Sequence, residues 1–514
     1  MTVTAKSYNS DIIKNYLFSF LNLFLRIFLS LVAIPILSET PGILSIYTIC
    51  ISLGLFFQYA DFGFIASGRK YASEYVTSKE YNHQLSLLGN SFSFSFIISL
   101  ILSFSLLLIS FYPKTIIPGL ELNNQYSYIA SILLITLSFS SLLQILSNYV
   151  GSIFDINLKK YYCDIVSIST ALVSLLIFFI IDKTNQDWIL KYYVSIKLLD
   201  LIYLITLIFL TKKTFKINLN ELVVNFRLNK KLIKKNLKLS LTAIILSISA
   251  FIFYELDSLF LAQYTDLISF SFYSIAALGP YVLKTVFGLL FSPFNSIFNY
   301  IKNKRLVYKD YFNKIVIFFF PITFIGILTV TLFSEEIIYS YVGSNYSNSI
   351  LPFIYLCLAW SFTFLIHPTN IYLFSMEFNN RLILCGLISP LFFWTLNFYY
   401  IRLNGIISIE IFCFNKMFSS LLILPIYIYY LLKDNMINTN VFLKLFKSLF
   451  FGSLILLIFY FPYSYFLNDE KNILGLIKNI ILIGALIVLI KLIDLKVNKN
   501  QIDIKKILSK IIIR

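Results

Sequence analysis

The sequence predicts an all-α, polytopic membrane protein of about 14 transmembrane helices: two six-helix lobes followed by two extra C-terminal helices. Three observations predict it. Hydrophobic residues fill 58% of the 514 positions and charged residues only 13%, against about 25% charged in a soluble protein. So few charges cannot clothe a water-facing surface of this size, so most of the chain must face lipid. The apolar residues also fall into runs long enough to cross a bilayer, and lysine and arginine gather in alternate gaps between those runs.

A crossing helix needs ~20 apolar residues. Runs of that order lie at 15–37, 43–66, 85–112, 125–150, 164–181, 188–210, 239–262, 267–290, 314–334, 349–375, 382–400, 406–431, 448–467 and 474–494. The first is too long for a signal-peptide core and carries no small-residue cleavage pattern, so it reads as a retained span. Phenylalanine and tyrosine, 53 and 36 residues, suit rings that meet lipid and headgroups. On this reading 1–210 is an N-terminal six-helix lobe and 211–238 a basic cytoplasmic linker. Residues 239–431 form a second six-helix lobe, and 432–514 hold two further helices and a basic cytoplasmic tail.

With the N-terminus in the cytoplasm, the inner loops and tails carry 31 lysines and arginines, and the outer loops four: Lys114, Lys183, Arg402 and Lys471. That bias places both termini in the cytoplasm. The net charge of +17 is therefore topological and not the footprint of a nucleic acid.

The outer loops are short, which argues against a polysaccharide polymerase or glycosyltransferase built on a long outward loop. No G-x-x-x-x-G-K-[ST] occurs, so ATP hydrolysis is not expected. Cys50, Cys163, Cys357, Cys385 and Cys413 lie in or beside apolar runs without metal-ligand spacing, and read as small buried hydrophobes. No catalytic constellation and no metal site is visible, and no cofactor is expected beyond coupling to H+ or Na+.

The sequence echoes itself across the basic loop. Ser45-Ile46-Tyr47-Thr48-Ile49-Cys50 returns as Ser271-Phe272-Tyr273-Ser274-Ile275-Ala276, 226 residues later. Six spans per half make both halves enter from the same side, related by an axis along the membrane normal.

Several motifs then resemble one family. Span 1 closes on a turn with Pro41-Gly42, and span 2 ends in Asp61-Phe62-Gly63-Phe64 before Arg69-Lys70-Tyr71-Ala72-Ser73-Glu74. Asp257-Ser258-Leu259-Phe260-Leu261 leads through a turn into Phe272-Tyr273-Ser274-Ile275-Ala276. Pro368-Thr369-Asn370 is followed by Phe378-Asn379-Asn380-Arg381. This pattern resembles the Wzx-type O-antigen and polysaccharide repeat-unit flippases of the MOP (MATE-like) export superfamily. Spans 13 and 14 leave room for the lipid II flippases, which look similar. The resemblance implies a two-lobed, V-shaped bundle in the bacterial inner membrane, working by alternating access. It would move an undecaprenyl-diphosphate-linked oligosaccharide to the outer leaflet, beside a polymerase and a chain-length regulator of the same pathway. A cation-coupled multidrug exporter of the same superfamily is the alternative.

Charges inside spans are the candidate site residues, because a mid-bilayer charge costs roughly 2.5–3.5 kcal/mol on insertion scales. Arg26, Lys197, Lys284 and Lys416 are the expected substrate-binding cations, converging from both lobes on a cavity that holds a diphosphate. Snorkelling to the interface or a structural pair is the other reading, with snorkelling weighing most for Lys284. Asp257, Glu255, Asp61 and His367 are the coupling or ion-pair candidates. Lys197 and Asp200, three apart, could simply pair on one helix face. For His367 a hydrogen-bonded packing role stands beside a proton relay.

Overall fold

The computed structural model describes residues 5–464, apart from 60–63, 74, 76–79, 118, 121–123, 184–186, 302–304, 377 and 438. Among the described residues there is no strand. The first helices are α1 (Ala5–Leu37), α2 (Pro41–Tyr59), α3 (Phe64–Ser73), α4 (Tyr81–Phe111), α5 (Asn124–Ile156) and α6 (Tyr161–Ile180). Then come α7 (Trp188–Phe215), α8 (Leu219–Asn225), α9 (Lys230–Tyr254), α10 (Leu256–Tyr264), α11 (Leu267–Ile301) and α12 (Arg305–Leu332). The last are α13 (Ser334–Val342), α14 (Ile350–Ser375), α15 (Asn379–Asn404), α16 (Ile409–Leu421), α17 (Leu424–Lys433) and α18 (Thr439–Ser464).

Eleven helical stretches among the described residues are long and apolar enough to cross a membrane, and Pro41–Phe57 is a shorter apolar helix. Together they match the first twelve expected spans, and α18 falls on the thirteenth. The expected span 474–494 lies outside the described residues. Two spans come in two pieces. The seventh is α9 and α10, joined at Glu255 (φ −112, ψ −22). The twelfth is α16 and α17, joined through Leu422 and Ile423.

The chain divides into two compact units, Met1–Ile268 and Ser269–Arg514. The seventh span therefore groups with the first six, where the sequence reading began the second lobe at residue 239. Residues 211–238, read as a linker, hold the end of α7, all of α8 and the start of α9.

In the first unit the most intimate pairing is α4 on α5. Lipid tails are as apolar as leucine, so helices associate through close packing and small residues. Along α4, Ser91, Ser93, Ser95, Ser99, Ser103 and Ser110 are all buried. Their hydroxyls mostly turn back onto their own helix: Ser93 donates to the Gly89 carbonyl at 2.7 Å and Ser95 to that of Ser91 at 3.1 Å. Ser103 instead donates across to the Ser138 carbonyl of α5 at 2.6 Å. At one end of this pair an apolar cluster forms from Leu88, Phe92, Tyr149, Phe154, Leu207 and Phe215.

The second unit is built around α14, which packs against α12, α15, α16 and α17. Gly279 on α11 makes room there for the Phe353 ring of α14, which a Cβ 2.2 Å away would force to shift. Pro368 lies inside α14 and Pro390 inside α15, where backbone groups freed by the missing N–H must find partners within the bundle. Tyr427 of α17 reaches the side-chain carbonyl of Asn370, two residues past Pro368.

Candidate functional site

The four intramembrane cations differ in setting. Arg26 stands on a polar stripe of α1 formed by Asn15, Ser19, Asn22 and Arg26, spaced by four, three and four residues so that all share one face. That stripe zips onto α6. Ser19 donates to Asp164 Oδ2 at 2.6 Å, and Asn22 Nδ2 donates to Asp164 Oδ1 at 3.2 Å. Arg26 Nη2 donates to Ser167 Oγ at 2.7 Å, while its Nε donates to Asn22 Oδ1 at 3.2 Å. At the other end Asn15 Nδ2 donates to the Leu158 carbonyl and its Oδ1 accepts from the Tyr161 amide. Arg26 is thus an exposed residue whose guanidinium is nonetheless tied to Asn22 and Ser167. Asp164, 4% exposed, is the carboxylate around which the stripe is organised.

Lys197 on α7 pairs with Asp200 at 3.3 Å, one turn along the same helix. Its Nζ also lies 5.5 Å from the ring centroid of Tyr193. The local pairing read from the sequence is present. Lys284 on α11 is half-buried, with Nζ 5.3 Å from the Trp360 ring of α14. Phe364 packs beside that indole at 5.5 Å and on Phe287 at 4.7 Å.

Lys416 on α16 is the most enclosed, at 3% exposure. Its Nζ lies 5.5 Å from the Phe393 ring of α15. One turn beyond Phe393, the fully buried Asn397 accepts from Asn415 Nδ2 at 2.8 Å, so an amide pair adjoins the lysine. Lys197, Lys284 and Lys416 therefore each lie over an aromatic face, whose negative quadrupole steadies a cation away from water.

The acids cluster at the break in the seventh span. Glu255, 8% exposed, is the junction itself, and Asp257, 1% exposed, sits in the first turn of α10. A helix N-terminus favours a carboxylate there. The adjacent Ser258 accepts from Ser52 of α2 at 2.9 Å, which fixes α10 against α2. His367 is half-buried on α14, immediately before Pro368. Asp61 lies outside the described residues. Among the described residues no group of three or more histidine, cysteine, aspartate or glutamate side chains could hold a metal ion.

No family model and no curated relative matches the chain. Solved structures match it in fold. The lipid II flippase MurJ, in an inward closed conformation, is similar over 92% of this chain and 98% of its own, with TM-score 0.59 and 15% identity. An outward-facing multidrug resistance MATE family transporter of the MOP superfamily is similar over 84% and 96%, with TM-score 0.56 and 13% identity. A MOP superfamily transporter from Pyrococcus furiosus Vc1 is similar over 82% and 95%, with TM-score 0.51 and 12% identity. The chain has the MOP fold.

Within this MOP fold, the sequence reading missed Asp164 as an intramembrane acid because it fell at the edge of a span. The signal was present in the polar stripe of α1, whose spacing needs a polar partner. The Asn397–Asn415 pair was also missed. Two buried amides on neighbouring helices leave no periodic trace, and only the packing of α15 on α16 joins them.

Proposed function

We propose that this MOP-fold protein is a flippase carrying an undecaprenyl-diphosphate-linked oligosaccharide, an O-antigen or capsule repeat unit, from the cytoplasmic to the outer leaflet by alternating access. The observation that carries the reading is Lys416, a lysine at 3% exposure in the middle of a span. Burying an ammonium there is costly, and such residues are kept where they serve a substrate or ion path. A diphosphate joining lipid to sugar needs cationic partners, because phosphate cannot enter lipid unpaired. Arg26, Lys197 and Lys284 supply further cations, and Asp257, Glu255, Asp61 and His367 are the candidates for coupling to H+ or Na+. The likeness to MurJ over nearly the whole of both chains supports the fold that this activity uses. The excess of basic residues on one set of loops supports a bacterial inner membrane location with both termini in the cytoplasm. A polymerase and a chain-length regulator would then act on the delivered units.

A multidrug exporter is the second reading, favoured by the likeness to a MATE transporter and by the buried Asp257, an acid suited to a cationic cargo. Deleting the gene in its host separates the two. Complete lipid-linked repeat units trapped on the inner leaflet, with loss of surface polymer, support the flippase. Unchanged polymer sinks it and favours the exporter, and polymer loss with single units still reaching the surface points to a polymerase.

A further inference from the structure

The short helix α8, between the sixth and seventh spans, presents two faces with different fates. Its inner face is fixed to the first unit. Leu222 is 3% exposed, and its carbonyl accepts from Tyr149 Oη of α5 at 3.2 Å. Phe226, just past the helix, packs on Tyr149 and on Phe96 of α4 with centroids 5.2 and 5.7 Å apart. Gly89 of α4 passes so close that a Cβ would lie 2.0 Å from the Asn225 carbonyl, and Asn90 Nδ2 donates to the Asn229 carbonyl at 3.1 Å. The segment is therefore docked and not a loose linker.

The outer face is apolar and uncovered: Leu219, Val223 and Val224 are 53%, 64% and 61% exposed, and Leu228 follows at 46%. Exposed basic residues bracket it, namely Lys212, Lys213, Lys216, Arg227 and Lys230, with Glu221 the one acid of α8. Lys216 itself takes a left-handed conformation (φ 60, ψ 24), turning the chain at the end of α7. α8 thus lies where the chain leaves one span and before it enters the next, in the segment that the basic-residue bias assigns to the cytoplasmic side.

We infer that this face of α8 docks onto the cytoplasmic leaflet, its aliphatic side chains entering the acyl boundary and its lysines and arginine engaging anionic phospholipid headgroups. An amphipathic segment with a basic rim binds a bilayer through apolar burial together with attraction to anionic lipid. The five basic residues select anionic headgroups, and the positive-inside bias selects the leaflet. Because its other face is fixed to α4 and α5, α8 sets the depth of the first unit in that leaflet. This inference is independent of the cargo.

The test uses the full-length protein reconstituted in phosphatidylcholine vesicles, with and without phosphatidylglycerol. All five native cysteines are buried, so V223C and L219C can each carry a single environment-sensitive fluorophore. The expected result is quenching by lipids with brominated acyl chains, protection from aqueous iodide, and a blue-shifted emission that shifts further when phosphatidylglycerol is present. A K212Q/K213Q/K216Q background should abolish that further shift. Iodide quenching without bromolipid quenching at both positions would overturn the inference. So would protection from both quenchers that disappears on dilution of the protein in lipid, which would assign the face to a second copy. Insertion that ignores phosphatidylglycerol would overturn the headgroup selection.

Discussion

Tyr47 of α2 meets Tyr193 of α7 edge to face, with centroids 6.2 Å apart and ring planes at 87°. In the second unit, Tyr273 of α11 meets Phe412 of α16 at 6.3 Å and 81°. Tyr47 and Tyr273 are the equivalent positions of the sequence echo, 226 residues apart. Four residues beyond each partner ring stands a lysine, Lys197 after Tyr193 and Lys416 after Phe412. The repeat therefore carries a packing geometry as well as a motif, and it puts an intramembrane lysine at the same register in each unit. Tyr193→Phe keeps both the edge contact and the ring beneath Lys197. Tyr193→Ala removes them and leaves a cavity worth about 3 kcal/mol or more. Thermal unfolding of the purified protein should place the Phe variant near wild type and the Ala variant clearly below it.

Lys416 separates stability from function. Methionine fills much the same space as the lysine stem but removes the ammonium, so Lys416→Met changes the charge with little change in packing. Lys416→Met should therefore still fold and reach the membrane, judged by immunoblot of membrane extracts, yet fail to restore surface polysaccharide in a deletion strain. Lys416→Arg tests whether charge alone suffices. If Lys416→Met restores polymer fully, the lysine has no part in binding an anionic headgroup.

The α1–α6 zipper predicts a local effect. Asp164 accepts from both Ser19 and Asn22, so Asp164→Ala strands two donors in a partly buried contact, at a cost of about 1–3 kcal/mol. Proteolysis should then cut more readily near the N-terminal half of α1, while Asp164→Asn, which keeps one acceptor oxygen, should be milder. A double-mutant cycle with Ser19→Ala should show coupling, because the two residues share one hydrogen bond.

Most of the fold was legible because the bilayer dictates it. Spans such as 188–210 and 382–400 are fixed by length and apolarity alone, and both recur as α7 and α15. Less legible was anything set by what two helices present to each other. Arg26 and Asp164 lie 138 residues apart and meet one polar ladder only because α1 packs on α6. The breaks at Glu255 and Leu422 were hidden for the opposite reason. Glu255 has no proline or glycine beside it, and at the second break Pro425 sits in the first turn of α17, where it suits a helix start, so hydropathy runs through both uninterrupted. The docked α8 was hidden by its own charge, since a basic stretch reads as solvated loop until Leu222 and Phe226 are seen to anchor it.

Arg381 and Asp434 supply the sharpest test of a single side chain. Asp434, 12% exposed at its side chain, accepts from Arg381 Nη1 at 2.7 Å and from Tyr372 Oη at 2.9 Å. The guanidinium also lies 4.4 Å from the Phe378 ring and 5.0 Å from that of Tyr430, so a planar cation rests near two aromatic rings while it binds the carboxylate. Lysine cannot reproduce that arrangement. Arg381→Lys should therefore lose a substantial part of what Arg381→Ala loses, and the latter should cost about 3 kcal/mol, since a mostly buried carboxylate is left without its cation. Removing both partners in Arg381→Ala/Asp434→Ala should cost less than the sum of the single variants, because no orphaned charge remains. Unfolding temperatures of the four variants in one detergent decide it: additive losses would mean that the pair is a surface contact with no share in holding α15 to α17.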